Sequence, residues 1–123
     1  MIFVAAYLSV FMLIGHLVVG IPWYLKPLLN SNADIIPKKV LHAVFHYITV
    51  IMVMSAVTLV AFAHNLLNLS PDVVRFIGIG YMLFGLTQIV LVVISHSFNG
   101  LIKMFQWTMF LPIGILALLA VGI

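Results

Sequence analysis

The sequence predicts an all-α integral membrane protein. It should hold four transmembrane helices in an up-down-up-down bundle, with both termini on the non-cytoplasmic side. Three observations lead there. Of 123 residues, 66% are hydrophobic and 6% are charged, with a mean hydropathy of +1.37. A water-soluble fold of this length could not cover so much apolar surface. The apolar residues also fall into runs long enough to cross about 30 Å of hydrocarbon as helix. Finally, the lysines gather in the connections of one side.

The first span is expected over residues 2–21. MIFVAAYLSVFMLIG is apolar from its start and carries neither a positive n-region nor a clear cleavage site, so it reads as a retained span rather than a signal peptide. Pro22-Trp23-Tyr24 closes it at the interface. The second span covers 39–63 and is entered through Lys38 and Lys39. The third covers 71–96, with Ser70 as N-cap and Pro71 at the first helical position. The fourth covers 101–121 and contains Pro112, which cannot donate to the carbonyl of Thr108 and should bend the helix there. Residues 1–123 then form a single four-span domain. Short connections favour antiparallel neighbours. Gly15, Gly20, Gly78, Gly80 and Gly85 permit close helix approach.

Lys26, Lys38, Lys39 and Lys103 serve as cytoplasmic anchors, against Arg75 alone on the other side. The positive-inside rule sets the orientation from that bias, and a bacterial inner membrane is the expected location. Trp23, Tyr24 and Trp107 suit the aromatic belt. Topology and anionic lipid account for the basic excess, so the bilayer is the expected partner and nucleic acid is not.

Composition also excludes chemistry. There is no cysteine, so thiolate metal sites and disulfides are absent. There is no glutamate, and Asp34 and Asp72 fall in predicted loops. Carboxylate proton relays, di-iron carboxylate sites and paired-carboxylate hydrolysis therefore lack their residues. No catalytic residue is assigned, and whether the chain is an enzyme stays open.

What polarity remains is concentrated. His16, His42, His46 and His96 gather in the cytoplasmic half, contributed by three spans, while His64 ends the second span on the outer side. By helical rise His16 lies about 15 Å in from Lys26, and His46 about 10 Å in from Lys39. His42 and His46, at i and i+4, share a helix face that Thr49 continues. Ser9 lies one heptad before His16, and Tyr81, Gln88 and Ser95 form a seven-residue stripe on the third span. With Gln106, these residues should line a polar pocket of imidazoles, amides and hydroxyls inside the bundle.

Histidines within a membrane are functional candidates by default. The expected function is a metal-cofactor site, either a b-type haem or a zinc or copper ion. His16, His42, His46 and His96 are its candidate ligands. For haem, His16 or His46 would pair with His96, and the lysines would meet the propionates. H-A-V-F-H lacks the glutamate of a metalloprotease motif. Two other readings stand beside this one. The histidines could be interhelical hydrogen-bonding glue in an accessory subunit or homo-oligomer of a larger membrane complex, as His64 beside Asn65 suggests. Alternatively, His16, Gln88 and Gln106 could line the path of a small transporter or channel subunit.

Overall fold

The computed structural model describes residues 1–95 and 98–123. Helix α1 spans Ile2–Val18, α2 Lys26–Leu29, α3 Ile35–Ala63, α4 Pro71–Ile94, α5 Phe98–Lys103 and α6 Trp107–Val121. No strand occurs among the described residues. Three segments are long and apolar enough to cross a membrane: Ile2–Leu29, Ile35–Ala63 and Pro71–Ile94.

The first segment runs further than expected. Its helix does not stop at Ile21 but continues to Leu29 through a π-helical turn over Ile21–Leu25. Pro22 and Pro27 supply the reason. Each lacks a backbone N–H, and between them the ladder widens, so that the Lys26 N–H reaches back to the Ile21 carbonyl. Helix α3 likewise starts earlier than expected, at Ile35 after the Asp34 N-cap. Helix α4 begins as expected, with the Ser70 hydroxyl accepting from the Asp72 N–H at 3.2 Å, and it ends at Ile94.

The expected span 101–121 is broken. Helix α5 ends at Lys103, a turn occupies residues 104–106, and α6 then runs for 15 residues, about 22 Å of rise. The break has a local cause. Trp107 Nε1 donates to the Leu101 carbonyl at 3.0 Å, and Gln88 Nε2 donates to the Met104 carbonyl at 2.9 Å. The Tyr24 hydroxyl donates to the Lys103 carbonyl. Side chains thus occupy acceptors that a continuous helix would use for its own ladder.

Burial follows a three-four rhythm along each long helix. On α1 it marks Ala5, Ser9 and Met12, on α3 Met52, Ala56, Leu59 and Ala63, and on α4 Val74, Gly78, Tyr81 and Gly85. That rhythm is the narrow seam of helices crossing at small angles. Helix α1 packs between α3 and α6, and α6 packs along α4. Helices α3 and α4, consecutive in the chain, touch sparingly. The order across the bundle is therefore α3, α1, α6, α4.

Helices α4 and α6 approach each other closely at glycines. A Cβ added to Gly114 would lie 2.8 Å from the Gly78 carbonyl oxygen, and one added to Gly78 would lie 2.9 Å from Leu118 Cγ. Gly85 sits equally tightly under Leu111. Gly15 and Gly80 have open space beside them, so they are not the close contacts that their position in the spans suggested.

Both ends of the bundle are tied. At one end the Tyr7 hydroxyl and His64 Nε2 are hydrogen bonded at 2.9 Å. There, too, Arg75 pairs with Asp72 and donates to the Gly122 carbonyl at 2.9 Å. The opposite end carries Lys26, Lys38, Lys39 and Lys103.

Candidate functional site

His16 projects from α1 near the lysine-bearing end. Its ring stacks on Phe45 of α3, with centroids 4.2 Å apart and planes 18° from parallel. Gly20, one turn beyond His16 and just before the π-helical turn, makes room for this stack: a Cβ there would lie 3.1 Å from the Phe45 ring. His16 Nε2 lies 3.0 Å from Thr49 Oγ1. The Thr49 hydroxyl donates to the Phe45 carbonyl at 3.0 Å. Its single proton is therefore committed, and its oxygen accepts from His16 Nε2–H. The ring proton is thereby placed on Nε2, and in the neutral imidazole Nδ1 is then an acceptor.

Across from α1 is an amide pair. Gln88 Nε2 donates to Gln106 Oε1 at 2.8 Å as well as to the Met104 carbonyl. Both amide hydrogens of Gln88 are thus used. Its Oε1 is buried without a partner among the described residues.

Two adjoining cavities meet at these groups. One, of about 340 Å³, lies among α1, the π-helical turn, Phe45 and the 104–106 turn, and Phe11, Tyr24, Phe105 and Met109 help to line it. The other, of about 300 Å³, lies towards α4, against Phe84, Thr87, Gln88 and Leu91. Met12, His16, Met104 and Gln106 belong to both. The walls are otherwise aromatic and aliphatic. The 104–106 turn and the π-helical turn, where the backbone departs from α-helix, both face the first cavity.

The structure brings His16, Thr49, Gln88 and Gln106 of the expected pocket together. It places the other expected residues elsewhere. Ser9 is buried but spends its hydroxyl on the Ala6 carbonyl of its own helix at 2.6 Å. Tyr81 is buried at mid-bundle and lines neither cavity. Ser95 is exposed and donates to the Val92 carbonyl at 2.9 Å.

His42 and His46 do sit side by side, with ring centroids 5.0 Å apart. They do not line the cavities. The buried seam of α3 runs through Phe45, Thr49 and Met52, which turns His46 out to an exposed position and leaves His42 half-buried. His64 is at the far end, bonded to Tyr7. His96 lies outside the described residues. Among the described residues, no three side chains of the metal-binding types converge on one point. Of the four lysines, Lys38 is half-buried and donates to the Leu29 carbonyl at 3.2 Å, and the other three are exposed.

The cavity residues that sequence reasoning missed are chiefly Phe45, Tyr24, Met104 and Phe105. Phe45 had a signal, since it lies one turn before Thr49 on the seam. Met104 and Phe105 had none, because they face the cavity only through the break before α6.

Compared with known protein families, curated proteins and solved structures, the chain matches none.

Proposed function

We propose that this chain is a four-span protein of a bacterial inner membrane, and that it binds one small lipid-soluble molecule in the cavity at His16. The lysine-bearing end is cytoplasmic and both termini are outside. The observation that carries the reading is the departure from α-helix on two sides of one cavity. Irregular backbone is tolerated at membrane depth only where it is buried in protein or lines a cavity. Here the π-helical turn and the 104–106 turn border the same space as His16 and Gln106. A volume of about 340 Å³ falls within the ligand-site range of roughly 300–1,000 Å³. Mostly apolar walls with a few convergent polar groups are the usual composition of such sites.

Helix α6 completes the fourth span. It is short, but the 104–106 turn and α5 carry the chain from its start to the lysine-bearing end, and side chains satisfy the carbonyls freed at the turn.

A b-type haem is one form of this reading. His16 would then be the residue to hold its iron, with His96 as a second imidazole offered by the sequence. A zinc or copper ion would instead draw on the neighbouring pair His42 and His46. The test is to purify the protein in mild detergent and to record its visible spectrum, its metal content and its solvent-extractable small molecules. The reading expects an extractable apolar compound in about one-to-one ratio. A Soret band would make that compound haem. Protein free of colour, metal and extractable ligand, and inert towards added lipid-soluble compounds, would overturn the reading and leave a structural subunit.

A further inference from the structure

The polar groups at the cavity are not an even mixture of donors and acceptors. His16 Nε2–H is used by Thr49, whose own proton goes to the Phe45 carbonyl. In the neutral ring His16 Nδ1 then presents a lone pair. It lies on the Gly20 side of the ring, 3.8 Å from where a Cβ on that glycine would be, and Gly20 lines the first cavity. Gln106 uses its Oε1 to accept from Gln88, which leaves its amide N–H groups as donors in the shared wall. Gln88 adds a second acceptor short of a donor, Oε1.

A hydroxyl both donates and accepts. It can donate to an acceptor such as His16 Nδ1 and accept from a donor such as Gln106 Nε2, two residues that line the same cavities. A carbonyl only accepts, so it answers Gln106 and leaves Nδ1 unmet. The opposite tautomer of His16 would suit a carbonyl, but it requires the Thr49 proton to leave the Phe45 carbonyl. That loses a hydrogen bond inside a membrane helix. The walls define the rest of the ligand. Phe11, Tyr24, Phe45 and Phe105, with Met12 and Met104, favour a flat π-system held by aromatic and thioether contacts.

We propose that the cavity selects a hydroxyl-bearing aromatic ring on a lipid tail, the chemistry of a membrane hydroquinone, over the corresponding quinone. This rests on the ligand-binding reading above and adds the chemical class and the preferred oxidation state.

The probe is a decyl-substituted benzohydroquinone, kept reduced without oxygen, and its quinone. Binding of each to the purified full-length chain is followed by tryptophan fluorescence quenching and equilibrium dialysis. The hydroquinone is expected to bind roughly five- to tenfold tighter, the value of about one hydrogen bond. Thr49→Val removes the group that fixes the tautomer, so binding should persist while the preference shrinks to about twofold or less. Equal or tighter binding of the quinone to the wild-type chain overturns the proposal and leaves the ligand-binding reading standing. Failure of both probes to bind removes the proposal and counts against that reading as well. An undiminished preference in Thr49→Val overturns the tautomer argument on which the selectivity depends.

Discussion

His16 is held by three neighbours with different tasks. Phe45 fixes its plane, Thr49 fixes its tautomer and Gly20 leaves the space for both. Replacing it with alanine should reduce affinity for the cavity ligand at least about tenfold, since the polar anchor and one wall are lost together. His64→Ala should leave that affinity unchanged, because His64 bonds Tyr7 at the opposite end. Ligand retained through purification, measured by extraction, distinguishes the two variants. That His16 lies towards the lysine-bearing end was legible in the sequence from its distance to Lys26. The positions of His42 and His46 were only half legible. Their i, i+4 spacing correctly made them neighbours, but it could not say which face of α3 meets α1. Phe45, Thr49 and Met52 decide that, and they turn His46 outwards.

At the scale of elements, the break before α6 and the contact between α4 and α6 hold the site in place. Gln88→Leu would leave the Met104 carbonyl without its donor at a membrane helix end. A loss of about 1–3 kcal/mol is expected, read as a lower unfolding midpoint in detergent. Gly114→Ala would drive a methyl group into the Gly78 carbonyl, which is backbone and cannot move aside. Its cost should also be about 1–3 kcal/mol, whereas Gly80→Ala, with open space beside it, should stay within about 0.5 kcal/mol. The same thermal assay compares all three. The helical class and the three long apolar helices were legible from apolar runs, Ser70 and Pro71. The break was not, because it depends on Gln88, Tyr24 and Trp107 reaching backbone carbonyls, and two of those side chains come from other helices. The continuation of the first helix to Leu29 was hidden for a related reason. Pro22 read as a stop, but with Pro27 it sets a wider turn instead.

For the molecule as a whole, the asymmetry of charge is the basis of the proposed orientation. With no native cysteine, single substitutions report it cleanly. Asn68→Cys and Ile123→Cys should react with a membrane-impermeant maleimide added outside intact cells, and Asn32→Cys should react only after lysis. Labelling of Ile123→Cys and Asn68→Cys from opposite sides would mean that α6 does not cross. The bundle order α3, α1, α6, α4 places the first and last helices at the centre, so the cavity draws on both chain ends. Sequence spacing favoured consecutive neighbours, which the α1–α3 and α4–α6 pairs are, with the Gly78–Gly114 approach holding α6 against α4; the departure is that α3 and α4 touch sparingly while α1 meets α6.

The central claim is that the space around His16 holds a lipid-soluble ligand. Native mass spectrometry of the protein released from mild detergent tests it most directly. The wild-type chain should carry a single adduct of defined mass that survives delipidation, and the adduct should be lost in His16→Ala while remaining in His64→Ala. A wild-type chain of bare polypeptide mass, or an adduct equally retained in His16→Ala, would contradict the account.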